Sequence, residues 1–108
     1  MSSAADKIVI FSTAANIEEA EKITQALLEA RKVACVNIIP EVLSRYWWQG
    51  KITKDREVLL IAKTNAAALP EVIRIIKENH SYETPEVIAL PITGASPDYL
   101  AWLESELK

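Results

Sequence analysis

Only two glycines, one cysteine, one histidine and one methionine occur among the 108 residues. A single cysteine, Cys35, excludes an internal disulfide and fits a reducing compartment. So few glycines, with half of the residues hydrophobic and a quarter charged, exclude a linker or disordered tail. No Lys/Arg run occurs and the net charge is −3, so the chain carries no electrostatic footprint for nucleic acid or anionic membrane. No apolar run approaches a membrane span, and MSSAADK has no cationic region ahead of an apolar one. A cytoplasmic protein is the expectation. P-loop, dinucleotide-fingerprint and HExxH motifs are all missing. Cys35 and His80 form a formal Cys/His pair, but a thiol in the middle of an apolar strand is poorly placed for activation, so no catalytic residue is assigned.

What is present suffices for one domain over residues 1–108, with a flexible leader over about residues 1–6. Its centre is Val33 to Thr64, where the apolar runs VACVNII and EVLLIAKT flank SRYWWQGKIT. Gly50 in Gln49-Gly50-Lys51 supplies the positive φ of a tight reversal. Arms this long exceed the ordinary strand of about five or six residues, so the hairpin should overhang any sheet built by one chain. Pro40 lacks a ladder donor and is expected at an edge, bulge or bend that breaks the first arm.

Around the hairpin, KIVIFST (7–13) reads as a buried strand. Asn16 caps a helix of about sixteen residues, with Glu19 in capping-box spacing and Ala20, Ile23, Leu27 and Ala30 on one stripe. Arg31 and Lys32 at its end suit the macrodipole. Leu69 to Asn79 is a second helix facing inward through Leu69, Val72, Ile73 and Ile76, and PEVIALPI (85–92) is a last strand. Ser96-Pro97 opens a terminal helix with Tyr99, Leu100, Leu103 and Leu107 inward. The order is βαββαβ plus one helix, an α+β, ferredoxin-like sandwich.

The strands are apolar on both faces. Val33, Cys35 and Ile39 oppose Ala34, Val36 and Ile38; Val58, Leu60 and Ala62 oppose Leu59 and Ile61; Val87 and Ala89 oppose Ile88, Leu90 and Ile92. Two helices cover one face, and a short terminal helix is too small for the other. Burial of such side chains is worth roughly 1.5–3 kcal/mol each, so self-association is expected.

Five blocks then fall in register: ACVNIIP (34–40), YWWQGKI (46–52), EVLLIAKT (57–64), HSYETPE (80–86) and YLAWL (99–103). Together they closely resemble the CutA family, the divalent-cation tolerance proteins. The resemblance implies a ferredoxin-like subunit in a compact homotrimer, whose long hairpins pair with neighbouring sheets. It also implies a link to copper and other divalent cations in bacterial members and to acetylcholinesterase anchoring in animal ones. No established reaction belongs to the family, and no cofactor is required. In some copper-linked members the positions of Ser12 and Asn79 hold cysteine and histidine, so this chain keeps only His80 of that set.

Candidate metal ligands are therefore His80 and Cys35, for weakly bound copper or another divalent cation. Cys35 is equally a small buried hydrophobe, and His80 a favourable helix C-terminal residue. Glu57, Lys63, Tyr82 and Glu86 are the polar members of the matching blocks, and make either an inter-subunit pocket or a structural ion-pair network. Tyr46, Trp47 and Trp48 are candidate interface anchors. The functional expectation is a trimeric binding or sensing protein associated with cation tolerance. The alternative is a structural or interaction trimer whose grooves bind a protein or a small anionic signal.

Overall fold

The computed structural model describes residues 4–108. Of the expected leader, residues 1–3 lie outside the described residues, while residues 4–6 turn so that the Lys7 N–H donates to the Ala4 carbonyl at 3.0 Å. Four strands, β1 (Lys7–Ala14), β2 (Cys35–Trp48), β3 (Lys51–Asn65) and β4 (Val87–Pro91), form one antiparallel sheet in the order β2-β3-β1-β4. Three helices, α1 (Ile17–Glu29), α2 (Leu69–Glu78) and α3 (Pro97–Glu106), complete the fold.

Helix α1 starts where Asn16 accepts the Glu19 N–H at 2.9 Å. The return half of the expected box is displaced by one residue, because the Glu19 carboxylate accepts from the Ala15 N–H at 2.8 Å. The helix spans 13 residues, and its basic end is used differently from the dipole expectation. Arg31 takes a left-handed φ of 60°, and the N–H groups of Arg31 and Lys32 close back onto Leu28 and Leu27, a cap that glycine usually serves. The two side chains leave the helix and hold the C-terminus, Arg31 on Glu106 and Lys32 on the Lys108 carbonyl.

The core lies between the sheet and the helices α1 and α2. Ile10 and Ala14 of β1 and Val58, Leu60 and Ala62 of β3 meet Ala20, Ile23 and Leu27 of α1 and Val72, Ile75 and Ile76 of α2. Ile75, rather than the expected Ile73, is buried, since it stands at the i+3 spacing from Val72 on the inward stripe. Ala30 is exposed, because the helix has already ended there. Val33 precedes the sheet and joins this helix-side core, so it does not share a face with Cys35.

On the opposite face α3 covers only one end, through Leu100 and Leu103; Tyr99 and Leu107 stay partly or largely exposed. Beyond it Ile39, Ile88 and Leu90 stand in solvent. Cross-strand register lines up Asn37, Ile61, Phe11 and Ile88 on this uncovered face.

Pro40 does not split β2; it lies in the register shift between Ile39 and Val42 on an edge strand, where a missing donor is tolerated. The hairpin closes through a two-residue turn, Gln49 (φ 51°) and Gly50 (φ 78°), the double positive φ that matches strand twist. Pairing with β1 stops at Val58, so Lys51–Glu57 of β3 extends past the sheet by about 24 Å at ~3.4 Å per residue. The chain is accordingly elongated, 49 × 26 × 23 Å.

Candidate functional site

Three segments meet where the hairpin leaves the sheet: the end of β1, the base of the overhang and the loop between α2 and β4. They enclose a cleft of about 620 Å³. Thr13 comes from β1; Ser44, Arg45, Tyr46 and Trp48 from β2; Glu57 from β3; and Tyr82, Glu83, Thr84 and Glu86 from the loop.

The loop is tied down at four points. Glu19 accepts the Ser81 N–H at 2.6 Å as well as that of Ala15. Burial pushes the Glu19 carboxyl up, but these donors outweigh it and hold the group below its ordinary value. His80 Nε2 donates to the Thr13 carbonyl at 2.7 Å, and its Nδ1 accepts the Tyr82 N–H at 3.0 Å, which defines a neutral tautomer. Ser12 donates to the Glu86 carbonyl at 2.7 Å. The Tyr82 hydroxyl donates to Glu57 Oε2 at 2.8 Å.

Glu57 is the unusual group. It is only 6 % exposed, yet Tyr82 is its sole hydrogen-bond donor, and no lysine, arginine or histidine pairs with it among the described residues. Its neighbour Arg56 turns to the other side of the hairpin, to Glu41 at 3.2 Å. Burial first, and then the Glu57 carboxylate, raises the Tyr82 phenol above its usual value. One strand step along, the Tyr46 hydroxyl donates to Asp55, which pushes its phenol up to about 12. Two carboxylates on one hairpin face are thus held by tyrosines rather than by cations.

Within one chain the structure brings together Glu57, Tyr82 and Glu86 of the expected pocket. Lys63 lies elsewhere on the sheet, where its ammonium donates to Asn37 and stands 3.8 Å from the Cys35 sulfur. Cys35 and His80 are not neighbours. Cys35 pairs through Lys63 with Val9, whereas His80 bonds to Thr13, four residues further along β1 and about 13 Å away at ~3.3 Å per residue. Among the described residues no group of three His, Cys, Asp or Glu side chains is arranged to hold a metal ion. Tyr46 and Trp48 share the cleft face of the hairpin, and Trp47 stands on the other, 72 % exposed. Sequence reasoning missed Thr13, Ser44, Arg45, Glu83 and Thr84 as lining residues, and missed Tyr46–Asp55. A two-residue turn at Gln49-Gly50 places Ser44 opposite Asp55, next to Tyr46 on the same face, and carried that last signal.

The fold recurs in known proteins. The profile of the CutA1 divalent ion tolerance protein family matches residues 8–106. The chain belongs to this family. It is 43% identical over 95 residues to the divalent-cation tolerance protein CutA of Thermus thermophilus, covering 88% of this chain and 92% of that one. It is 42% identical over 101 residues to the chloroplastic protein CutA 1 of Oryza sativa, covering 94% of this chain. It spans only 57% of that rice relative's length, and similarly little over half of the Arabidopsis and mouse relatives. Among solved structures, CutA1 from Oryza sativa superposes with a TM-score of 0.93 at 40% identity, over 98% of each chain. An α+β fold with a four-stranded antiparallel sheet and three helices is therefore the CutA1 fold. No helix among the described residues is long and apolar enough to cross a membrane.

Proposed function

We propose that the chain acts as a homotrimeric binding and sensing module, with cations as the ligands of the cleft at the hairpin base. The observation that carries this reading is Glu57, a nearly buried carboxylate with one neutral donor and no cation among the described residues. A buried charge is stable only when paired or hydrogen-bonded. Relatives bear the name divalent-cation tolerance protein, which supports a divalent ion as one ligand. Binding is weak in this reading, since one chain offers too few ligands and the remainder come from a neighbouring copy.

Trimer formation is supported by three features. The strand order β2-β3-β1-β4 suits a ferredoxin-like split βαβ sheet in this reading, with one face left open. That face carries Ile61, Phe11, Ile88 and Leu90. The Lys51–Glu57 stretch of β3 and the outer side of β4 present unpaired edges, which suit head-to-tail pairing around a closed ring. Tyr46, Trp47 and Trp48 are anchors of that assembly in this reading. The module is non-catalytic, and the free thiol of Cys35 supports a cytoplasmic location.

Calorimetric titration of the metal-free protein with Zn(II) and Cu(II) tests the cation reading. Saturable binding at a fixed number of ions per trimer, weakened about tenfold by Glu57→Gln, is expected. Loss on His80→Ala with Glu57→Gln unaffected moves the site to the imidazole. Heat at background contradicts direct cation binding.

A second reading is favoured by one cross-strand pair of the hairpin. Arg45 lies directly opposite Lys54, a repulsive cross-strand pair, and neither meets a carboxylate among the described residues. An anionic group or acidic partner would relieve that repulsion. Salt-sensitive binding of an acidic peptide, lost in Arg45→Ser/Lys54→Ser, is its test.

A further inference from the structure

Helix α3 rests on the sheet through little apolar surface. Leu100 and Leu103 are its buried hydrophobic residues, while Tyr99 and Trp102 are 39 % and 41 % exposed. Ten residues are too few for a helix to persist alone in water, so its contacts decide whether it stays formed.

Its polar contacts gather at the C-terminal end. Glu104 accepts from Lys7 at 3.1 Å and from Asn65 at 3.4 Å, and so bridges the start of β1 and the end of β3. Glu106 pairs with Arg31 at 2.7 Å. The Lys108 N–H donates to the Arg31 carbonyl at 3.1 Å, and its own carbonyl accepts from Lys32 at 2.9 Å. Arg31 makes these contacts from a left-handed φ of 60°, which side chains other than glycine avoid. Glycine would cap α1 there without steric cost, but it could not reach Glu106.

The other end is free to turn. The Ile92 N–H is fixed on the Lys7 carbonyl at 2.9 Å. Residues 93–96 beyond it are exposed and carry no regular structure, and Gly94 lies in open space.

We propose that α3 is a latched strap, which opens as a unit about residues 93–96 while the sheet, α1 and α2 stay closed, with Arg31–Glu106 and Glu104 as the latch. Opening uncovers the end of the sheet where Tyr99 meets the Cys35 thiol.

The test is hydrogen exchange of the intact protein, read by mass spectrometry over residues 97–108 and over the core strands. Amides of α3 should exchange at least about tenfold faster than those of Ile10 and Leu60. Arg31→Gly should speed exchange of α3 a further two- to fivefold or about that, and leave β1 unchanged or slower, because the left-handed backbone is relieved. Glu106→Gln should reproduce the effect on α3, and the two together should add nothing beyond either alone. Glu106→Gln leaves the α1 cap intact, so it decides the matter if Arg31→Gly alters that cap. An α3 that exchanges in step with the core overturns the proposal. So do variants that leave α3 exchange unchanged, or that speed α3 and β1 equally.

Discussion

The Tyr82 hydroxyl reaches Glu57 Oε2 across 2.8 Å and so joins the loop after α2 to the base of a hairpin twenty-five residues away in sequence. Among the described residues that bond is the only donor to a nearly buried carboxylate. Tyr82→Phe keeps the ring and removes the donor, which leaves the carboxylate unsatisfied. A loss of about 1–3 kcal/mol in urea unfolding is expected, while Glu57→Gln/Tyr82→Phe together should lose less than the sum of the two singles.

The tyrosines make an alkaline prediction. All three are raised: Tyr46 to about 12 by its bond to Asp55, Tyr82 by burial and Glu57, and Tyr99 by burial and Cys35. An acid whose folded pKa lies above its unfolded one contributes stability that is fully present below the unfolded value and lost as pH rises through the folded one. Phenolate absorbance of the native protein should therefore be displaced above the ordinary tyrosine value of about 10. The step near 12 should vanish in Tyr46→Phe. A Tyr46→Phe variant that keeps the step near 12 contradicts the Tyr46–Asp55 hydrogen bond.

Glu19 works in the opposite pH range. Its depressed folded value means that its contribution is present above the ordinary glutamate range and fades as pH falls through the folded value. Glu19→Gln should destabilise the protein by about 1–2 kcal/mol at neutral pH, with the difference shrinking in acid. Amide exchange at Ser81 reports the same loss locally, since its N–H is held by Glu19 at 2.6 Å.

Much of this architecture is legible in the sequence because it rests on local rules. The Gln49-Gly50 turn, the Asn16 and Ser96 caps and the doubly apolar strands are all patterns of period, propensity or positive φ. The site is less legible, because its contacts join distant segments. His80 was identifiable as a residue of interest, but its two ring nitrogens are committed to Thr13 and Tyr82, one of them 67 residues away. Lys63 shares a strand with Glu57 and still lies outside the cleft, since six residues of strand separate them. The shift at Pro40 also offsets the register, so strand parity counted from Cys35 does not carry through to Tyr46.

The turn gives a further check. Gly50 has open space around the position of a Cβ, so Gly50→Ala meets no side chain and is penalised only by its φ of 78°. A destabilisation of about 1 kcal/mol is expected in thermal unfolding. Gln49→Asn, at φ 51°, should be neutral or slightly stabilising.

The assembly claim is tested most directly by multi-angle light scattering of the purified protein at micromolar concentration. The account predicts a single species of three times the 12.0 kDa chain mass. A 12.0 kDa particle would show that the open sheet face and the overhanging hairpin stand in solvent, and would contradict the trimer.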